Sequence, residues 1–120
     1  MMGNTSSDSG ESNPQVQEYV TDLIGKHPVV MFSKSYCPYC DMAKNALNSI
    51  GAKYEVIELN QRQDGSQIQN YLFRLTGQRT VPNVFIAEKS IGGGTETEQL
   101  QRSGQLKSLY DDAVQKYASK

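Results

Sequence analysis

The chain has 120 residues, a formal net charge of −1, and acidic and basic side chains mixed along its length. That length makes one domain with a core of its own. The balanced charge argues against nucleic-acid binding, which calls for a basic excess or stripe. No apolar run approaches the length of a membrane span. The N-terminal "MMGNTSSDSGESNPQ" has neither the basic and apolar regions of a secretory signal nor the arginines of a mitochondrial transit peptide. A soluble, cytoplasmic protein is the expectation, and there a close cysteine pair is more often catalytic or metal-binding than structural.

Residues 1–13 are polar and aperiodic and read as a disordered tail, with the folded domain over 14–120. If Met2 starts the chain, "MGNTSS" fits an N-myristoylation pattern at Gly3, which would tether the protein to a membrane. Pro14 suits a first helical position. Val16, Tyr19, Val20, Leu23 and Ile24 then form an apolar stripe that "GKHP" closes, with His27 as a helix-end residue. "VVMFS" reads as a buried strand. Ala43, Ala46, Leu47 and Ile50 recur at helical spacing, and Gly51 supplies a left-handed cap. "YEVIEL" is a second strand; Ile68, Tyr71, Leu72 and Leu75 mark a third helix ended by Gly77. "NVFI" is a third strand, and the turn "AEKS" leads to a fourth around Ile91, stopped by "GGGT". Leu106, Leu109, Tyr110, Ala113, Val114 and Tyr117 give one amphipathic C-terminal helix. The order α-β-α-β-α-β-β-α implies an α/β three-layer sandwich. Its mixed four-stranded sheet has a parallel first pair and an antiparallel last pair, flanked by helices on both faces.

Both cysteines lie in "FSKSYCPYCDMAKNALNSIG", where a strand turns into a helix. The unpaired N–H groups and dipole of the helix start point at Cys37, and Lys34 adds a positive charge. Both favour the thiolate, which is the nucleophilic form. Pro38 removes an N–H that has no helical partner. Cys40, three residues on, lies within reach for a disulfide. A structural zinc site wants four ligands, and the chain offers two cysteines and one histidine. A structural disulfide over so short a loop gains little chain entropy. C-x-x-C beside a β-α-β pattern points instead to redox exchange.

"CPYC" after "FSKSY", then "TGQRTVPNVFI", then "IGGGTET", resemble a dithiol glutaredoxin of the thioredoxin fold, from about Pro14 to the C-terminus. Thioredoxins and protein disulfide isomerases carry different residues between their cysteines. The resemblance implies glutathione as co-substrate, glutathionylated or disulfide-containing proteins as partners, and no resident metal. It implies catalysis by Cys37 and Cys40 in a monomer. Lys34, Gln69 and Arg79 would meet the glycyl carboxylate, and Tyr39 would pack along the tripeptide. Pro82 would be a cis proline that turns the Val81 backbone toward Cys37 to pair with glutathione. Gly93, Thr95 and Glu96 would receive the γ-glutamyl end. The family usually has aspartate where Glu96 stands, so this longer side chain is expected to cap its helix less well. The rival reading is a glutathione-ligated [2Fe–2S] carrier or sensor bridging two chains. Pro38 weighs against that reading.

Overall fold

The computed structural model describes residues 13–119. The tail reading over residues 1–12 and the Gly3 motif lie outside the described residues. Helix α1 spans Pro14–Lys26, with Pro14 in its first turn. Asn13, assigned above to the tail, belongs to this helix start. Its Oδ1 accepts the N–H groups of Gln15 at 3.0 Å and Val16 at 3.3 Å, two donors that a helix start otherwise leaves unpaired. Its Nδ2 donates to Gln67 Oε1 at 2.7 Å.

Strand β1 is Val29–Ser33 and α2 is Pro38–Ser49. β2 is Glu55–Glu58, followed by a single 3-10 turn over Leu59–Gln61. α3 spans Gly65–Thr76, β3 Asn83–Ile86 and β4 Lys89–Gly92. α4 is Gly94–Arg102 and α5 is Gln105–Ala118. Three expectations change. The second strand loses Tyr54 and Leu59, and Leu59 turns into the core instead. In "AEKS" only Ala87 and Glu88 turn, both at positive φ, as a two-residue hairpin twist requires; Lys89 and Ser90 already belong to β4. The C-terminal segment holds two helices rather than one. They are parted at Ser103 and Gly104, where Gly104 takes a φ of +81°. Helix α4, "GTETEQLQR", has no apolar stripe to reveal it, and its buried residues are Gly94 and Thr97.

The sheet order is β2-β1-β3-β4, with β1 parallel to β2 and both other pairs antiparallel. Strand alternation sorts the core into two halves. Val30, Phe32 and Phe85 face α1 and α3, where they meet Val16, Val20, Ile24, Ile68 and Leu72. Phe32 and Phe85 pack edge to face with ring centroids 5.7 Å apart. Val29, Met31, Val84 and Ile86 face the other way, onto Ala43, Ala46 and Leu47 of α2 and Leu106 and Ala113 of α5. Burying each such large side chain contributes roughly 1.5–3 kcal/mol. Some stripe positions stay at the rim: Leu75, Leu109 and Val114 are exposed by 48%, 38% and 40%.

The register places four strand ends together at one end of the sheet. Ser33 ends β1 opposite Glu58 at the end of β2; Phe32 lies opposite Asn83 at the start of β3; Val84 lies opposite Gly92 at the end of β4. The loops that leave this end carry the cysteines, Val81–Pro82 and the glycine turn. Helix α4 packs closely along α2 there. At Gly94 a Cβ would run into the Tyr39 backbone carbonyl. We therefore expect Gly94→Ala to cost about 1–3 kcal/mol of folding stability, because backbone rather than a flexible side chain must give way. Urea unfolding checks this, and an unchanged midpoint would show that α4 slides freely on α2.

Candidate active site

Cys37 is the N-cap of α2, in extended conformation, with Pro38 as the first helical residue. Its Sγ accepts the Cys40 N–H at 3.1 Å, the role that a serine or aspartate oxygen plays at other helix starts. The same sulfur lies 3.8 Å from the Val81 carbonyl oxygen, to which the protonated thiol can donate. The loop before it is tied down from β2. Ser35 N–H donates to Asn60 Oδ1 at 3.0 Å, and Asn60 Nδ2 donates to Ser35 Oγ at 2.7 Å. Cys37 is half-buried, between Tyr36 at 73% and Tyr39 at 57% exposure. One sulfur is therefore reachable from solvent and already holds an amide donor.

Cys40 differs in every respect. It is fully buried, and it sits one helical turn before Lys44 on α2. Burial pushes its thiol up from the ordinary value of 9.0, and the hydrogen bond with Cys37 adds to this. The Ser33 hydroxyl and the Lys34 backbone pull it back in part. Ser33 is the register partner of Glu58, so both side chains share the face toward α2. Lys44 Nζ donates to Glu58 Oε2 at 3.0 Å, which holds that ammonium protonated above its usual range. Both cysteines are free thiols.

The Val81–Pro82 bond is cis, and Pro82 is buried. A polar network supports this loop from beneath. Gln78 Nε2 donates to the Thr80 carbonyl at 3.0 Å and the Pro82 carbonyl at 2.7 Å. Gln78 N–H donates to Thr76 Oγ1 at 3.1 Å, and so does Asn83 Nδ2 at 3.2 Å. Ser90 Oγ donates to Asn83 Oδ1 at 2.6 Å, so the buried Asn83 is satisfied at both ends. Gln69 and Arg79, read from the sequence as carboxylate binders, meet each other. Gln69 Nε2 donates to the Arg79 carbonyl at 2.8 Å, and the Arg79 guanidinium lies 4.0 Å over the Phe73 ring. Among the described residues, the second N–H of Gln69 and the edge of the guanidinium are left unpaired. Lys34 lies half-buried just beyond β1.

At the glycine turn Glu96 forms a cap. Its Oε1 accepts the Gly93 N–H at 2.8 Å, so the longer side chain does cap α4. An extra methylene lets the carboxylate reach back one full turn. Gly92 beneath it, at a φ of +108°, leaves 2.9 Å from a would-be Cβ to Glu96 Cγ. Thr97 Oγ1 donates to the Gly93 carbonyl at 2.7 Å. The Gly93 amide is thus occupied, while helix geometry leaves the amides of Thr95 and Glu96 without intrahelical acceptors. Thr95 and Glu96 are both exposed.

The structure brings Cys37, Cys40 and Val81 into direct relation and seats Gly93 against Pro82. Sequence reasoning missed Asn60 and Gln78. Neither has a periodic signal, although Gln78 stands four residues from the proline within an already suspect motif.

Comparison with known proteins agrees with this arrangement. The glutaredoxin family model matches residues 29–91. A glutaredoxin of Ricinus communis is 51% identical over 92 residues, covering 77% of this chain and 90% of that protein. One from Vernicia fordii is 49% identical over 92 residues, covering 77% and 88%. A crystal structure of a buckwheat glutaredoxin–glutathione complex superposes with a TM-score of 0.80 at 40% identity, covering 86% of this chain and 96% of that one. A strand-end cysteine pair on this sheet, with about half of the aligned positions shared with known glutaredoxins, leaves one assignment: the chain belongs to the glutaredoxin family, the glutathione-dependent thiol–disulfide oxidoreductases.

Proposed function

We propose that this protein reduces glutathione mixed disulfides through Cys37 and protein disulfides through Cys37 and Cys40 together. The observation that supports this division of labour is the contrast between the two sulfurs. Cys37 is half-exposed and accepts an amide N–H at 3.1 Å, whereas Cys40 is fully buried. A sulfur at a helix start with an amide donor is stabilised as an anion, and the anion is the attacking form.

In the first step the Cys37 thiolate attacks the glutathione sulfur of a mixed disulfide. A Cys37–glutathione disulfide forms, the old disulfide breaks, and the substrate leaves as a thiolate that takes a proton from solvent. A second glutathione thiolate then attacks the glutathione sulfur held on Cys37. It leaves as oxidised glutathione and frees the Cys37 thiolate, so two electrons have passed from glutathione to substrate. With a protein disulfide, the Cys37 thiolate attacks one substrate sulfur, breaking the substrate disulfide, releasing the first substrate thiolate and forming a mixed disulfide. Cys40 gives its proton to solvent, attacks Cys37 Sγ and expels the second substrate thiolate. This leaves a Cys37–Cys40 disulfide, which two glutathiones reduce, departing as oxidised glutathione.

Glutathione is read as lying across this end of the sheet. Its cysteinyl backbone would pair with Val81 beside Pro82, as an added strand does. Its γ-glutamyl carboxylate would take the Thr95 and Glu96 amides at the start of α4. The Gly93 amide is held by Glu96, so Gly93 would contribute close backbone approach rather than a donor. Its glycyl carboxylate would meet Lys34, the second N–H of Gln69 and the edge of Arg79, with Tyr39 along the tripeptide.

Two outcomes test the roles. Cys37→Ser should lose glutathione-coupled reduction of a small mixed disulfide by at least ~10³-fold, as expected for loss of a nucleophile. Cys40→Ser should keep that activity to within about tenfold while losing reduction of protein disulfides. The reverse pattern would exchange the two assignments. Iodoacetamide followed by mass spectrometry should label Cys37 at neutral pH and spare Cys40. Burial holds the Cys40 thiol protonated, so its labelling should set in only above the ordinary thiol value of 9.0. Equal labelling of both at pH 7 contradicts this reading.

A further inference from the structure

We propose that Gln78 is a positioning residue that sets the preference for glutathione over other thiols, by holding the Thr80–Pro82 backbone as a docking edge. The inference rests on the glutathione pose read above and names the residue that makes it selective.

The geometry is specific. A primary amide has two N–H donors on one nitrogen. Gln78 Nε2 directs them to the carbonyls on either side of Val81, at 3.0 Å on Thr80 and 2.7 Å on Pro82. With both neighbours held, Val81 keeps its own carbonyl turned to the catalytic sulfur, 3.8 Å away. Gln78 is itself fixed from below by its N–H on Thr76 Oγ1, and Thr76 Oγ1 donates to the Leu72 carbonyl of α3 at 2.8 Å. The clamp therefore runs from the body of α3 to the loop facing Cys37.

The clamp also touches the other half of the pose. A Cβ on Gly93 would lie 3.3 Å from the Pro82 carbonyl oxygen and 4.0 Å from Gln78 Nε2. The loop meant for the cysteinyl backbone and the turn meant for the γ-glutamyl end are thus packed against one side-chain amide. Gln78 itself makes no bond to Cys37; the clamped loop meets that sulfur only through the Val81 carbonyl at 3.8 Å. Loss of the amide should loosen the binding edge while leaving the thiol chemistry of Cys37 in place. The chemical class recognised is an extended γ-linked peptide with backbone groups on both sides of its cysteine. A bare cysteine offers few of these contacts.

The test is a ratio. One peptide thiol is converted to its glutathione mixed disulfide and, separately, to its cysteine mixed disulfide. The kcat/KM values for the two are compared in the wild-type protein, in Gln78→Met and in Gln78→Glu. Methionine keeps the length and removes the donors; glutamate turns an acceptor toward two carbonyls. The wild-type should favour the glutathione form, and Gln78→Met should cut that ratio at least tenfold, through KM. Gln78→Glu should cut it further and recover in part as pH falls and its carboxyl gains a proton to donate. Cys37 ionisation cancels in the ratio. If the wild-type itself shows no preference, the glutathione pose fails and this inference with it. If the wild-type discriminates and Gln78→Met discriminates as well, the pose stands and the inference is overturned. A variant that loses both substrates by the same factor also overturns it, since that is the signature of general structural damage.

Discussion

The constraint on which this site depends is the capping of a helix by sulfur. Helix α2 begins against that end of the sheet, and its first amides need acceptors. Cys37 Sγ supplies one by taking the Cys40 N–H at 3.1 Å. That single bond orients the Cys37 sulfur, gives it an amide donor and ties it to the second cysteine. A serine could cap the helix equally well and could not exchange electrons. The cysteine cap joins a folding requirement to a chemical one at the same atom.

The surrounding elements serve that junction in separate ways. Asn60 ties down the loop before Cys37 from the end of β2. Gly94 lets α4 approach the Tyr39 carbonyl, which a side chain would forbid. The sheet register brings the ends of β1, β2 and β4 and the start of β3 together at one end of the sheet. The contrast between the cysteines follows from depth. Both belong to the same helical turn, yet one faces solvent and the other faces the layer beneath. Water stabilises an anion far better than a protein interior does, so burial moves Cys40 toward its protonated form, and the hydrogen bond with Cys37 adds to this.

Polar groups at this end of the sheet are paired with one another to an extent that a list of charges would not suggest. Glu96 folds back onto Gly93, Gln69 onto the Arg79 carbonyl, and Arg79 over Phe73. Each pairing reduces the freedom of a side chain before any ligand arrives. Ordering a flexible side chain on binding costs about 0.5–1.5 kcal/mol, and prior pairing lowers that cost.

The strands β1 and β3, the stripes of α1, α2 and α3, and the cysteine turn could be read from the chain itself. Each has a local cause: alternation or helical spacing of apolar residues, a proline at a helix start, a glycine at its end. The three separated motifs carried the family as well. Helix α4 was not legible as an element, because its nine residues present no apolar stripe and it is held by backbone proximity to α2. The Glu96 cap was not legible for a related reason: side-chain length predicts reach only once the backbone beneath is known. The roles of Gln78 and Asn60 belong to tertiary structure alone, since each bonds backbone groups that only the folded loops bring within range. Local sequence determined which segments form and where the sulfur sits. Which polar groups remain free to act was decided by the folded chain, because hydrogen-bond partners distant in sequence exist only after that end of the sheet has assembled.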